Sequence, residues 1–267
     1  MGAGMRSAYS AGFLYALATE LKLLPDIIIG TSGDAGNALY FASKQYSSAR
    51  RVWCGFIATH RVISLWRFWK IFDVDYLVDV IFKKKEPLNV EALAASTVEW
   101  FIPLTDADTG ETRYISAHDH ADPFELLRAA KAIPFYFGRR VPLLGRLFID
   151  GEVGPTLADH AQFALEKGAN RLLMINNGRE QRGMINYLQK MLAKLEPPNL
   201  RDSMLRDFAT DQSVCFVGPA GVQVICVFPG ELPAGFATVN KKALTATLDL
   251  GIEKAIALGP ELRTLFT

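Results

Sequence analysis

The stretch that decides the fold reads Pro25-Asp26-Ile27-Ile28-Ile29-Gly30-Thr31-Ser32-Gly33-Asp34. Its β-branched run is typical of a short buried strand that ends at Gly30, and residues 35–45 are predicted to form a helix. A serine between a strand and a helix suits a nucleophile, because the tight turn exposes its hydroxyl and the helix N-terminus favours negative charge. The same residues also fit an ordinary turn in which Ser32 caps the helix.

Strands and helices alternate on both sides of this turn, which predicts an α/β fold with a largely parallel central sheet. The further predicted elements are helices over 10–23, 157–167 (with Gly168 as its C-cap) and 240–257, and a strand over 171–176. Residues 214–217 and 222–228 flank Gly218-Pro219-Ala220-Gly221, which predicts a hairpin. Since no linker divides the chain, we expect a single domain over residues 1–267.

The composition excludes several classes of protein. Half of the 267 residues are hydrophobic and 21% are charged, unlike a disordered chain. The 29 basic and 28 acidic residues give a net charge of +1, without the basic excess of a nucleic-acid-binding protein. Three cysteines (Cys54, Cys215 and Cys226) lack metal-binding spacing and favour a reducing compartment over a disulfide scaffold. Without a long apolar run or a signal-peptide pattern, we expect a cytoplasmic protein.

Two further motifs carry groups suited to chemistry. Gly2-Ala3-Gly4-Met5-Arg6 leads into a helix, and its exposed backbone N–H groups could hold an anion. It is not a dinucleotide fingerprint, because no strand precedes it and Ser7 stands at the third glycine. Leu147-Phe148-Ile149-Asp150-Gly151 ends an apolar run with a carboxylate, which could act as a general base or simply form an Asp-Gly turn.

The histidines offer two alternatives. Ser32, Asp150 and His160 follow the order of an α/β-hydrolase triad. However, that fold places several strands before its nucleophile, and only 31 residues precede Ser32. His118 and His120 form an H-x-H pair beside two aspartates, but no third ligand stands at a diagnostic distance. We therefore expect loop histidines and no metal.

Residues 61–85 combine aromatic and basic side chains. Helical spacing of the aromatic residues fits a buried face, whereas bulky apolar groups among Lys and Arg also suit a peripheral contact with an anionic membrane. Residues 177–211 are predicted to be polar and helical, to break at Pro197-Pro198 and to cover the sheet edge.

In this order, the motifs resemble those of the patatin-like phospholipase family, and in particular its bacterial branch. The family has a G-G-G-x-R-G loop, a G-x-S-x-G elbow and a D-G-[AG] motif, which here read Gly2-Ala3-Gly4-Met5-Arg6-Ser7, Gly30-Thr31-Ser32-Gly33-Asp34 and Asp150-Gly151-Glu152. Residues 127–134, LRAAKAIP, are similar to the family's R-A-S-x-A-I-P segment. Asn37 and Val227-Phe228-Pro229 are similar to the bacterial branch.

The resemblance implies a three-layer fold, with helices on both sides of a largely parallel sheet, and a serine hydrolase of lipid acyl esters that needs no metal or cofactor. Ser32 would be the nucleophile and Asp150 its base. The implied oxyanion donors are the backbone N–H groups of Gly2, Ala3, Gly4 and Met5. The implied supporting residues are Arg6, Gly30, Gly33 and Gly151.

The sequence also departs from the family pattern, at Ala3, Ser7, Asp34 and Glu152. A carboxylate at Asp34 would oppose an alkoxide on Ser32, so Asp34→Gly is expected to raise turnover. The alternative is a catalytically impaired relative that binds lipid or a protein partner. The family places a β-strand before its loop, so the central sheet is expected to lack an interior strand. The absence of this strand is explained either by a true start upstream of Met1 or by a truncated relative of the family.

Overall fold

The computed structural model describes residues 3–64, 66–67, 70–178, 191, 193–209 and 214–267. The strands are β1 (Ile27–Ile29), β2 (Glu99–Asp106), β3 (Thr112–Ser116), β4 (Val141–Leu143), β5 (Arg146–Asp150), β6 (Arg171–Ile175) and β7 (Gln223–Val227). The helices are α1 (Ala8–Thr19), α2 (Gly33–Ala42), α3 (Tyr46–Arg51), α4 (Val74–Tyr76), α5 (Val90–Ala94), α6 (Pro123–Ala129), α7 (Leu157–Glu166), α8 (Pro198–Ala209), α9 (Lys241–Ala257) and α10 (Gly259–Phe266). Two π-helical segments span Val52–Phe56 and Leu77–Lys85, and a 3-10 turn spans Ala117–Asp119.

In the described part of the chain, the main sheet is mixed and has five strands. β1 pairs in parallel with β2, so that Ile28 lies opposite Trp100. β2 pairs antiparallel with β3 and β5, and β5 pairs antiparallel with β4. β6 and β7 form a separate parallel pair. The predicted α/β class is confirmed, with parallel pairing at β1–β2 and β6–β7.

A cleft separates the two sheets. Each of β1 and β6 pairs with one strand among the described residues, and a cavity of about 740 Å³ between them is lined by both. The predictions of a single domain and of a missing interior strand stay predictions.

The main core lies between β2 and the helices that cover it. Ile102 and Leu104 of β2 are fully buried and belong to one apolar cluster with Leu39 of α2 and Leu126 of α6. Burying such side chains contributes about 1.5–3 kcal/mol each. This packing holds the start of α2, and therefore the predicted nucleophile, against the end of the sheet.

Several predicted elements are confirmed within one to three residues. The strand over Ile27–Ile29 is present, and α7 ends two residues before Gly168, whose φ is +94°. The helix predicted to begin at Asn240 begins at Lys241, with the Asn240 side chain accepting from the Ala243 N–H over 3.2 Å.

The hairpin predicted around Gly218-Pro219-Ala220-Gly221 is wrong. The turn exists, because the Val222 N–H donates to the Pro219 carbonyl over 3.1 Å. However, residues 214–217 form no strand. β7 pairs with β6 instead, because its apolar side chains pack beside Leu172 and Met174.

The expectation of unpaired cysteines is wrong for Cys215 and Cys226, which form a disulfide with their Cα atoms 5.9 Å apart. They lie only 11 positions apart in the sequence, and the turn at Pro219 returns the chain toward β7. Cys54 is free, and the reducing compartment stays a prediction.

The prediction for residues 177–211 is only partly covered by the structure, since 179–190, 192 and 210–213 lie outside the described residues. Residues 191 and 193 are helical, residues 194–197 leave the helix, and α8 begins at Pro198, so the predicted break at Pro197-Pro198 is present. Proline is tolerated there because it lies in the first turn of α8. Across the described part of the chain, no helix is long and apolar enough to cross a membrane.

Candidate active site

Ser32 stands at the turn between β1 and α2, as the sequence predicts. Its backbone has φ 49° and ψ −117°, a conformation that costs a non-glycine residue about 1–3 kcal/mol. The Asp34 N–H donates to the Thr31 carbonyl over 2.7 Å and closes the turn. Ser32 is buried, with 2% of its surface exposed. This is the strand–turn–helix arrangement that nucleophilic serines adopt.

A cavity of about 60 Å³ opens beside Ser32. Its lining is largely apolar, and the apolar side chains include Met5, Val52, Trp53, Ile57, Val62, Leu77 and Phe82. The polar groups that line it include Ser32, Asn37 and Lys131. Apolar walls with a few convergent polar groups are typical of small-molecule sites, although this cavity is smaller than the roughly 300–1,000 Å³ of most such sites.

Asp150 is the last residue of β5 and is also buried, with 1% of its surface exposed. Its Oδ1 accepts from the Glu152 N–H over 2.9 Å. Among the described residues, the Ser32 hydroxyl and the Asp150 carboxylate form no hydrogen bond with each other. Catalytic hydrogen bonds are often long in a ligand-free site and tighten only when substrate binds.

Two consecutive residues, Lys131 and Ala132, connect Ser32 with Asp150. Lys131 Nζ donates to the carbonyl oxygen of Ser32 over 2.7 Å, and the Ala132 carbonyl accepts from the Asp150 N–H over 3.1 Å. Burial lowers the pKa of Lys131 to about 8, while the negative charges of Asp150 and Asp34 oppose that fall. A buried amino group therefore contacts the predicted nucleophile and feels the charge of its predicted base.

The predicted oxyanion loop lies near the turn, with two of its predicted donors already engaged. The Ala3 N–H donates to Ser7 Oγ over 3.3 Å, and the Met5 N–H donates to the Phe236 carbonyl over 3.0 Å. The Gly4 N–H has no acceptor within the described ranges. Gly2 lies outside the described residues. Gly4 is therefore the predicted donor that the described contacts leave available.

Arg6 anchors this loop to the chain that follows β6. Its Nε donates to the carbonyl oxygens of Asn177, over 2.9 Å, and Gly178, over 3.0 Å. These contacts join the loop before α1 to the segment that follows β6. The supporting role of Arg6 stays a prediction.

The predicted glycines allow close approach between the motifs. A Cβ on Gly33 would lie 2.5 Å from Ser7 Oγ, so the loop and the turn could not meet with a larger residue there. A Cβ on Gly151 would overlap the carbonyl of Pro103 in β2, and one on Gly30 would lie 2.6 Å from the Asp34 carbonyl oxygen.

Asp34 does not line the cavity beside Ser32. Its carboxylate accepts from the Ser10 hydroxyl, from Asn37 Nδ2 over 3.1 Å and from Asn177 Nδ2 over 2.8 Å. It therefore joins α1, α2 and the segment after β6 within a buried polar network. This gives Asp34 a structural role that its position two residues after Ser32 did not indicate.

The alternative triad with His160 is not formed. His160 Nδ1 lies 2.8 Å from the Tyr114 hydroxyl, and the residue lines the cleft between the sheets rather than the Ser32 cavity. Burial lowers the pKa of His160 to about 3, which keeps the ring neutral.

The aspartates beside His118 and His120 cap local turns. Asp119 accepts from the Ser116 N–H over 2.8 Å, and Asp122 accepts from the Phe124 N–H over 2.8 Å. No group of three or more His, Cys, Asp or Glu suited to a metal occurs in the described parts of the chain.

Sequence reasoning missed the roles of Lys131, Asn37 and Asn177. A lysine among the apolar residues of LRAAKAIP is the one signal that could have indicated a buried amino group. The asparagines carry no such signal, because what they bond depends on contacts between distant segments.

Comparison with known proteins agrees with this geometry. The family model described as patatin-like phospholipase matches residues 1–158, which include Ser32 and Asp150. The uncharacterized protein YjjU of Escherichia coli (strain K12) is 25% identical over 189 residues, 65% of this chain and 49% of YjjU. The chain thus spans about half the length of this curated relative. Because the family model covers more than half of its residues, the chain belongs to the patatin-like phospholipase family.

Proposed function

We propose that this protein is a serine hydrolase that cleaves acyl esters of lipids, with Ser32 as nucleophile and Asp150 as general base. The observation that carries the proposal is the strained Ser32 turn beside an apolar cavity. Membership of the family supports lipid acyl hydrolysis at the family level.

In the first step, Ser32 Oγ attacks the acyl carbonyl carbon and Asp150 accepts the hydroxyl proton. The carbonyl electron pair moves to oxygen, where backbone N–H groups stabilise the negative charge. Gly4 offers such a donor directly. The N–H groups of Ala3 and Met5 would first have to leave their present acceptors. The N–H group of Gly2 is proposed as a donor from the sequence alone.

In the second step, the ester C–O bond breaks and the alcohol leaves with the proton held by Asp150. Water then attacks the acyl-serine, again giving a proton to Asp150, and the carboxylic acid is released as Ser32 recovers its hydrogen. The apolar cavity would hold the part of the acyl chain nearest the ester and exclude bulk water from the ester.

Labelling with a fluorophosphonate probe tests the nucleophile. We expect the wild-type chain to be labelled and Ser32→Ala to show no labelling above background, because the probe reacts with an activated serine. Ser43→Ala is the matched control, since Ser43 is a buried serine at the other end of α2, and it should be labelled like the wild type. Labelling that persists in Ser32→Ala would exclude Ser32.

The second candidate function is binding of lipid or a protein partner by a catalytically impaired relative. Two observations favour it: Ser32 and Asp150 are not hydrogen-bonded to each other, and the Ala3 and Met5 donors are engaged. A hydrolytic activity weakened by the carboxylate of Asp34 would also fit this second candidate. Vesicle binding without turnover or labelling would support this candidate over the enzyme.

Residues 61–85 support a further part of the proposal, a peripheral membrane contact. Trp66 is 92% exposed, which fits the membrane interpretation. Phe72 packs against Phe236 and Phe82 is buried, which fits the buried-face interpretation for those two residues. Phe68 and Trp69 lie outside the described residues. Val62, Ile63, Phe72 and Leu77 from this segment line the Ser32 cavity. A lipid bound at the surface would therefore lie close to the proposed nucleophile.

Trp66→Ala is expected to weaken binding to vesicles of phosphatidylglycerol and phosphatidylcholine by roughly tenfold. A tryptophan buries about 150–250 Å² when it leaves water, and only part of that gain is needed for a tenfold effect. Co-sedimentation with the vesicles measures the change. Leu195→Ala, which removes an apolar side chain that is 79% exposed elsewhere, is the control, and equal losses in both variants would refute the assignment to residues 61–85.

A further inference from the structure

The amino group of Lys131 is unusual because it is buried beside the proposed nucleophile and forms few hydrogen bonds. An ammonium has three donors, and the Ser32 carbonyl is its one hydrogen-bond acceptor within the described parts of the chain. Its other neighbours are the ring of Phe82, 5.9 Å from Nζ, and the charges of Asp150 and Asp34.

Stability alone does not account for a lysine at this position. A buried charge loses its hydration, and the attraction of nearby carboxylates repays that loss only when the geometry is good. The Lys131 side chain lines the same cavity as Ser32. The buried ammonium of Lys131 is therefore unfavourable for stability, but it lies where it can act on Ser32.

We infer that Lys131 is a positioning residue for the nucleophile: its ammonium holds the Ser32 carbonyl and keeps the turn in the strained conformation that presents the hydroxyl to the cavity. The inference rests on the proposed function of Ser32. Without this bond, the Ser32 carbonyl keeps only the Ala35 N–H, at 3.2 Å, among the described residues. A non-glycine residue at φ 49° persists only when surrounding contacts hold it.

The same bond also orients a second group. The Ser32 carbonyl and the Gly33 N–H belong to one planar peptide and point to opposite sides of it. When Lys131 fixes the carbonyl, it fixes the direction of the Gly33 N–H, which has no acceptor in the described segments. The N–H of the residue after a nucleophilic serine is a donor to the oxyanion in the α/β-hydrolase elbow. Lys131 thus positions both the hydroxyl and this donor.

Lys131→Met tests the inference, because methionine keeps the apolar volume and removes the charge and the donors. We expect its fluorophosphonate labelling rate constant at saturating probe to fall at least tenfold, about 1.4 kcal/mol in the barrier, with little change in probe affinity. Lys131→Arg, which keeps charge and donors, should retain more of the rate. Lys167→Met is the matched control, since the Lys167 ammonium lies over Phe101 and Phe163 away from Ser32.

Hydrogen exchange of the amides at residues 33–36, measured on the same proteins, reports the turn without depending on catalysis. Faster exchange and slower labelling in Lys131→Met alone support the inference. Unchanged exchange and labelling in Lys131→Met overturn the inference. If the wild type is labelled in that case, the proposed function of Ser32 is still supported. If the wild type is not labelled but exchange rises in Lys131→Met, the proposed function fails and the positioning of the turn stands. If neither occurs, both fail.

Discussion

Asp150→Asn is expected to lower kcat for ester hydrolysis by about 10²–10⁴-fold. An amide cannot accept the proton of the Ser32 hydroxyl, so the attack would lose its general base. Ser32→Ala should lose at least as much, because no covalent intermediate can form. Hydrolysis of a p-nitrophenyl ester, followed by absorbance at saturating substrate, measures both variants.

The fold should survive this change. Asparagine keeps an Oδ1 that can accept the Glu152 N–H, as Asp150 does over 2.9 Å, and the Asp150 N–H bond to Ala132 belongs to the backbone. Because the change also removes a negative charge near the buried Lys131, we expect the free energy of unfolding of Asp150→Asn to fall by about 1–3 kcal/mol while the protein stays folded. The loss of rate would then reflect chemistry.

Asp106→Asn provides the matched control. Asp106 is a buried aspartate at the end of the neighbouring strand β2, it accepts from the N–H groups of Asp108 and Thr109, and it is paired with Arg146. Its replacement removes a buried carboxylate away from Ser32 and should leave kcat nearly unchanged. Substantial hydrolysis remaining in both Ser32→Ala and Asp150→Asn would rule out the dyad.

The turn at Ser32 could be predicted from sequence because its determinants are local. A β-branched run, a glycine and a helical pattern follow each other within about 20 residues, and each acts on its own segment. The positions of Ser32 and Asp150 at strand ends followed from the same reasoning. Their separation did not, because it depends on how β1, β2 and β5 pair.

Contacts between distant segments account for what the sequence could not predict. The partner of β7 is β6, about 50 residues away, so a local turn signal at Pro219 wrongly favoured a hairpin. The side chain of Lys131 reaches Ser32 across 99 positions. The direction of the Asp34 carboxylate depends on Asn177, 143 residues further along.

Asp34→Gly is expected to destabilise the protein by roughly 2–4 kcal/mol and to lower turnover rather than raise it. The change removes a buried acceptor that Ser10, Asn37 and Asn177 share, and each orphaned buried donor costs about 1–3 kcal/mol. A glycine in the first turn of α2 adds up to about 1 kcal/mol. The loss of stability is smaller where the orphaned donors form new hydrogen bonds.

Turnover should fall because the network holds the groups around Ser32. Asn37 Nδ2 also donates to the Ser7 carbonyl over 2.9 Å, and Ser7 ends the proposed oxyanion loop. Loosening Asn37 would therefore loosen the loop against the turn, and a displacement of about 1 Å in a site of this kind can cost about 10²-fold in rate.

Urea unfolding and ester hydrolysis on the same Asp34→Gly protein separate the two interpretations of Asp34. Glu91→Gly is the matched control, because Glu91 is an exposed acidic residue in the first turn of α5, and it measures the helix cost of glycine alone. If Asp34→Gly loses no more stability than Glu91→Gly and turns over faster than the wild type, the carboxylate opposes the Ser32 alkoxide, as the sequence suggests. A larger loss of stability with slower turnover assigns Asp34 to the scaffold that holds the loop and the nucleophile together.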